Sequence, residues 1–199
     1  MNLAAVITES RNCPRINNVI KKHLEKLPEY TKLYFFGSKE NQKRIKFKHT
    51  FYEVEINSIE DYCYWIASQE FWNLINEENV LIFQTDSMII GGNIEQFYEY
   101  DYIGSPLKSE ADYVYNGGLS FRHKTVMLDI ITKWNYNRTI HENEDGYFSR
   151  KVYEHYKKTP KQIAEKFSVD NIFKLGTFGY HAIERSLTKE QVKQIKSQI

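Results

Sequence analysis

The sequence predicts an α/β fold: a mostly parallel, doubly covered sheet with a mixed edge. Two observations carry that prediction. Short apolar runs of strand length alternate with stretches of helical spacing through the first half of the chain, which is the pattern of a sheet covered by helices. Beyond Asp86 the pattern is broken by Gly91, Gly92, Gly104 and Pro106, so the later half is expected to supply turns and an antiparallel or mixed edge.

Leu3–Thr8 reads LAAVIT, a run that suits a buried strand. Pro14 can open a helix, because its missing N–H is an orphan at a helix start anyway. Ile16, Val19, Ile20, Leu24 and Leu27 then give one apolar stripe. KLYFF, Lys32–Phe36, is a second strand stopped by Gly37 and Ser38, and FYEVEI, Phe51–Ile56, alternates as a strand with one wet face does. A single helix is expected from Ser58 to Ile75, with Ser58 as N-cap and Asp61 in the capping-box place. Val80–Phe83 is the fourth strand and leads to Asp86. After it come a loop over Lys108–Tyr115, a short strand Gly118–Arg122, and helices over Thr125–Trp134 and Glu144–Tyr156. NIFKLG is a late strand candidate, FGYH a loop, and about 187–199 an exposed terminal helix. No repeat or linker divides the chain, so 1–199 is read as one domain.

Bulk properties narrow the function. A chain of 199 residues with 41% hydrophobic and 27% charged residues is ordinary for a globular domain. The net charge of +1 gives no general attraction for nucleic acid, and the basic run Lys43–His49 reads as a solvated loop or strand face. Cys13 and Cys63 are isolated, as reduced packed thiols are. The N-terminus lacks signal-peptide features, and no apolar stretch is long enough to span a bilayer. The expected location is cytoplasmic, with the Asn137-Arg138-Thr139 sequon read as chance. The aromatic content of 15% fits either stacking surfaces or an aromatic core boundary.

Three polar clusters carry the chemistry. In QTDS, Gln84 and Asp86 lie two apart, so in an extended chain both point the same way and can reach one ion; Asp86 as a turn cap is an equal alternative. Asn116-Gly117-Gly118 combines a carboxamide with backbone that a sugar could approach closely, but Asn-Gly is also a common hairpin turn. Arg122 follows and could pair with a phosphate or with the acids. Glu144-Asp145 sits where a helix starts; capping explains one acid, and the other is free to act as a general base. His181 is a lone late histidine, either packed or a metal ligand. No nucleophile elbow, P-loop, dinucleotide fingerprint or zinc-protease motif is present.

Taken in order, VITESRNCPRINNVIKKHL, EFWNLINEENVLIFQTDSMII, FYEYDYIGSP, NGGLSFR, EDGYFS and FGYH resemble a family of uncharacterised glycosyltransferase-like domains, domain of unknown function 5672, related to the GT-A nucleotide-sugar transferases. The resemblance implies a GT-A-like, Rossmann-related fold with a nucleoside diphosphate sugar, a UDP-sugar for preference, across the carboxyl ends of the first strands. Glu9 and Arg11 then belong to the nucleotide pocket. Gln84 and Asp86 take the place of the Asp-x-Asp element that holds Mn²⁺ or Mg²⁺ against the diphosphate, with Gln84 where the first acid is usual and His181 available as a replacement ligand. Asn116, Gly117 and Gly118 face the donor sugar, Arg122 joins the donor contacts, and Asp145, with Glu144 beside it, supplies the base. The implied reaction moves a hexose to a hydroxyl of a glycan or protein acceptor. The alternative is a non-catalytic module that binds a nucleotide sugar or glycan.

Overall fold

The computed structural model describes residues 2–108, 115–137 and 143–199. The expected loop over Lys108–Tyr115 therefore falls almost wholly outside the described residues, as do His141, Glu142 and most of the Asn137 sequon.

Strand β1 (Leu3–Glu9) is fully buried from Leu3 to Ile7, as a parallel strand covered on both faces must be. Helix α1 (Ile16–Leu24) follows, then β2 (Lys32–Gly37), the short α2 (Lys39–Gln42) and β3 (His49–Glu53). Helices α3 (Ile59–Ile66) and α4 (Gln69–Asn73) lead to β4 (Asn79–Phe83) and the short β5 (Ser87–Ile89). Strands β6 (Tyr102–Pro106) and β7 (Tyr115–His123) are followed by α5 (Lys124–Lys133), α6 (Glu144–His155) and α7 (Lys161–Phe167). Strands β8 (Ser168–Val169) and β9 (Gly179–His181) and helix α8 (Lys189–Lys196) complete the order.

The main sheet runs β3-β2-β1-β4-β7-β6. Its first four strands are parallel, whereas β7 is antiparallel to β4 and β6 to β7. The chain thus steps outward from β1 to β3 and returns to the other side of β1 with β4. This reversal opens a crevice between the carboxyl ends of β1 and β4, where open α/β sheets bind ligands. A second sheet, β5-β9-β8, has a small core of its own formed by Ile90, Val169, Tyr180, Ile183 and Ile195, the last on α8.

Several sequence expectations are corrected. The single helix over Ser58–Ile75 is two helices, because Ser68 caps a second start by accepting from the Phe71 N–H at 3.1 Å. Ser58 accepts from the Asp61 N–H as expected, but the Asp61 carboxylate takes the Asn57 N–H, one residue outside the capping-box position. Strand β3 ends at Glu53 rather than Ile56, since both backbone groups of Ile56 bond the Ser10 hydroxyl. Gly104 and Pro106 lie in strand β6, not in turns. Pro106 is tolerated because β6 is an edge, and Gly104 sits at a register shift against the Asn116 carbonyl. The Asn116-Gly117-Gly118 turn is instead part of β7, bulged between the Gly104–Ser120 and Ser105–Asn116 pairs. NIFKLG is not a strand; the strand is FGYH's Gly179–His181, one turn after the left-handed Gly176. The aromatics fill the core, as in the Phe36, Phe71, Trp72 and Phe148 chain of ring contacts. Among the described residues no helix is long and apolar enough to cross a membrane.

Candidate functional site

The β1/β4 crevice opens into a cleft of about 560 Å³. Six separate segments meet in it: the loop after β1, the start of α3, the Gln84–Asp86 turn, the β7 bulge, the start of α6, and the end of β9. All but one of the predicted site residues line this cleft; the exception is Arg122.

Asp86 and His181 are brought together by strand pairing. Ser87 of β5 pairs with His181 of β9, and the Asp86 carbonyl accepts from the Ala182 N–H at 3.0 Å. The His181 Nδ1 donates to Asp170 at 2.9 Å, and its Nε2 faces Gln84 Oε1 at 3.1 Å and Asp86 Oδ1 at 3.3 Å. The other Asp86 oxygen accepts from Arg185 at 2.6 Å. Burial disfavours the imidazolium, but the two carboxylates outweigh it and raise the His181 pKa to about 9. Burial likewise opposes ionisation of Asp86, yet His181 and Arg185 hold its carboxyl below the usual range.

Among the described residues no group of three or more His, Cys, Asp and Glu side chains could hold a metal ion. The donor set at this point is smaller and mixed: one carboxylate, one imidazole and one amide oxygen converge, with Asp170 behind the ring. That set suits a hard divalent cation that takes its remaining oxygens from water and phosphate, and a carboxylate behind a ligating histidine is the usual orienting partner.

Beside this group, the β7 bulge carries backbone where side chains would not fit. A Cβ on Gly118 would lie 2.2 Å from His181 Nε2, and one on Gly117 would lie 2.7 Å from both Arg122 Nη2 and Glu144 Oε1. The Asn116 side chain is turned back to accept from the Gly118 N–H at 2.7 Å. The Gly118 carbonyl in turn accepts from the Gln84 N–H at 2.9 Å, tying the bulge to the Gln84–Asp86 turn.

The acidic pair at the start of α6 divides its work. Glu144 is buried and grips Arg122 through both oxygens, at 2.6 and 3.1 Å. Arg122 is fully buried, donates also to the Ser120 hydroxyl, and lies over the Tyr102 and Phe148 rings. Arg122 therefore does not line the cleft, and Glu144, which does, is buried with both oxygens committed to the guanidinium, whereas Asp145 is partly exposed. Burial pushes the Glu144 carboxyl up against the pull of the guanidinium; burial also opposes the Arg122 charge, but Glu144 outweighs it and the net direction is up. Asp145 faces the cleft, half-buried, and accepts the Gly117 N–H at 3.1 Å and the Gly146 N–H at 2.8 Å.

At the other side, buried Glu9 holds the exposed Arg11 by two side-chain bonds of 2.9 and 2.7 Å. The loop that carries them is fixed by Asn41, whose amide donates to the carbonyls of Glu9 and Arg11 and whose oxygen accepts from the Cys13 N–H. Asn41, Asp170 and Arg185 were not legible as site residues. Each is an ordinary polar residue in sequence and gains its role only through a partner 30 or more, 11 and 99 positions away, respectively.

A family model described as "Protein of unknown function (DUF5672)" matches residues 44–181. No curated protein matches the sequence. Among solved structures, the apo form of the glycosyltransferase GlyE from Streptococcus pneumoniae TIGR4 superposes with a TM-score of 0.62 at 12% identity, over all of this chain and 60% of that one. A second GlyE structure gives 0.61 at 11% identity. Apo mouse xyloside xylosyltransferase 1 gives 0.53 at 9% identity, over 94% of this chain and all of that one. This chain thus spans about three fifths of the GlyE structures, and at these identities the likeness is one of fold: the GT-A-like α/β fold of glycosyltransferases.

Proposed function

We propose that this chain, which belongs to the family described as protein of unknown function DUF5672, transfers a sugar from a nucleoside diphosphate sugar to a hydroxyl of a glycan or protein acceptor, with a UDP-sugar as the favoured donor. The observation that carries the reading is the convergence of Gln84 Oε1, Asp86 Oδ1 and His181 Nε2 at the strand-order reversal, with Asp145 lining the same cleft. Glycosyltransferase folds in the solved relatives support the same class of chemistry.

In this reading Asp86, His181 and the Gln84 amide hold Mn²⁺ or Mg²⁺. When bound, the ion supplies charge stabilisation for the departing diphosphate. To serve as a ligand, His181 would have to present an unprotonated Nε2, and Asp170 would hold the ring in place through Nδ1. The exposed Arg11, anchored on Glu9, borders the nucleotide end, and the Gly117–Gly118 backbone lets the donor sugar approach closely. Each Asp145 oxygen accepts one backbone N–H and keeps a lone pair, so the carboxylate can take the proton from an acceptor hydroxyl as it attacks. Attack by that hydroxyl on the face opposite the leaving diphosphate inverts the anomeric centre.

The test is release of nucleoside diphosphate from a panel of sugar nucleotides with Mn²⁺ or Mg²⁺ present. Asp86→Ala should abolish release, and full turnover by that variant rejects the metal role. Donor binding without transfer or hydrolysis, across metals and acceptors, would instead identify a non-catalytic binding module.

A further inference from the structure

The cleft wall contains two buried hydroxyl oxygens that no protein group bonds: Thr8 Oγ1 on β1 and the Tyr62 hydroxyl on α3. Burying a hydroxyl without a partner is unfavourable, and native structures keep few of them without a reason. The Tyr62 oxygen has the more telling position. The Gln84 side chain lies close enough to bond its oxygen and Glu144, Arg122 and Asp145 lie near, but no contact reaches full hydrogen-bond geometry. The nearby amide oxygen of Gln84 is already engaged by His181.

Tyr62 thus lies near both Gln84 on the cation side and Asp145, the residue assigned as base. In the reaction proposed above, the bond that breaks joins the sugar to the diphosphate, and the attacking hydroxyl arrives beside the base. The ring of the transferred sugar then lies between those two points, in the cleft that Tyr62 lines. Burial pushes the phenol above its ordinary range, so the group keeps its proton and remains a donor. A buried hydroxyl whose proton no protein group accepts matches a sugar hydroxyl, which can accept it.

We propose that the Tyr62 hydroxyl hydrogen-bonds a hydroxyl of the sugar being transferred, and that Tyr62 is therefore a specificity-determining residue of the donor site. This rests on the donor reading given above. It adds to that reading the α3 wall as a surface that meets the sugar.

The test is calorimetric binding of UDP, UDP-glucose, UDP-galactose and UDP-N-acetylglucosamine, each with Mn²⁺, to the full chain and to Tyr62→Phe. The variant should bind UDP as the native protein does, but bind the preferred UDP-sugar about three- to tenfold more weakly, the range of one neutral hydrogen bond. Without ligand it should melt no lower than the native protein, because the hydroxyl it lacks had no partner. Thr31→Val removes a similarly unpartnered hydroxyl just ahead of β2, at the opposite end of the sheet, and should change neither affinity. Equal sugar-nucleotide affinity in Tyr62→Phe, or a melting point lowered by several degrees, would overturn the assignment. If the native protein binds UDP but gains nothing from any attached sugar, the assignment falls while the nucleotide reading stands. If it binds none of the four, the donor reading falls and takes the assignment with it.

Discussion

Arg122 and Glu144 place two opposite charges wholly out of water, and what they secure is geometry. A buried ion pair gains little net stability over an apolar pair, but removing one member strands the other. Arg122→Met should therefore destabilise the fold by about 3–5 kcal/mol in urea unfolding, whereas Arg122→Met combined with Glu144→Leu should recover most of that loss. The double variant should still lose turnover, because the Gly117 backbone and Asp145 lie against this pair. Asp145→Asn should retain donor binding and lose transfer; unchanged turnover in that variant would point to retention of configuration with no base at this position. The sequence offered an acidic pair at a helix start. Adjacent residues on a helix point about 100° apart, so one acid had to turn inward and the other outward. Which did so was decided by Arg122, arriving from another strand, and was not visible in the helix itself.

Among the elements, β7 shows where sequence signals mislead. Asn-Gly-Gly has the composition of a tight turn, and the same small residues also suit a bulge that must pass close to other groups. The His181 ring against Gly118 decides between them, and it lies in a different sheet. Gly118→Ala forces its new methyl onto the imidazole, so it should abolish the Mn²⁺-dependent gain in donor affinity measured by calorimetry while leaving far-ultraviolet circular dichroism unchanged. Helix signals were more faithful because capping is local. Ser58 was readable from its spacing, and Ser68 sat in the same kind of position inside what periodicity alone made one helix. Ser68→Ala should cost about 1 kcal/mol in unfolding free energy with no effect on ligand binding.

At the scale of the whole molecule, the parallel half of the sheet was legible because its strands are continuous apolar runs. The edge was less so, because β6 carries Gly104 and Pro106 in turn-like composition, and the second sheet is built from strands of two or three residues, with β5 paired to β9 about ninety positions away. Acid stability is a property of the same scale. His23 is fully buried, its Nδ1 donating to the Val19 carbonyl and its Nε2 facing the Ser87 hydroxyl. Burial lowers its pKa from 6.5 to about 4. Between those values the unfolded chain binds the proton and the native one does not, so stability is complete above about pH 6.5 and falls as pH drops towards 4, by about 3 kcal/mol in all. Unfolding midpoints measured across that window should decline in the native protein and stay flatter in His23→Gln.

The separate core beneath β5, β9 and α8 has a dynamic consequence. Segments with their own small cluster can open without disturbing the rest, so amide hydrogens of Met88, Ile89 and Tyr180 should exchange sooner than those of Val6 and Ile7 in β1. Such an opening would carry His181 and Arg185 out of the cleft while Glu9, Gln84 and Asp145 stayed in place. A donor and cation that bridge the two parts would slow exchange most in the second sheet, giving a readout of ligand engagement that requires no turnover.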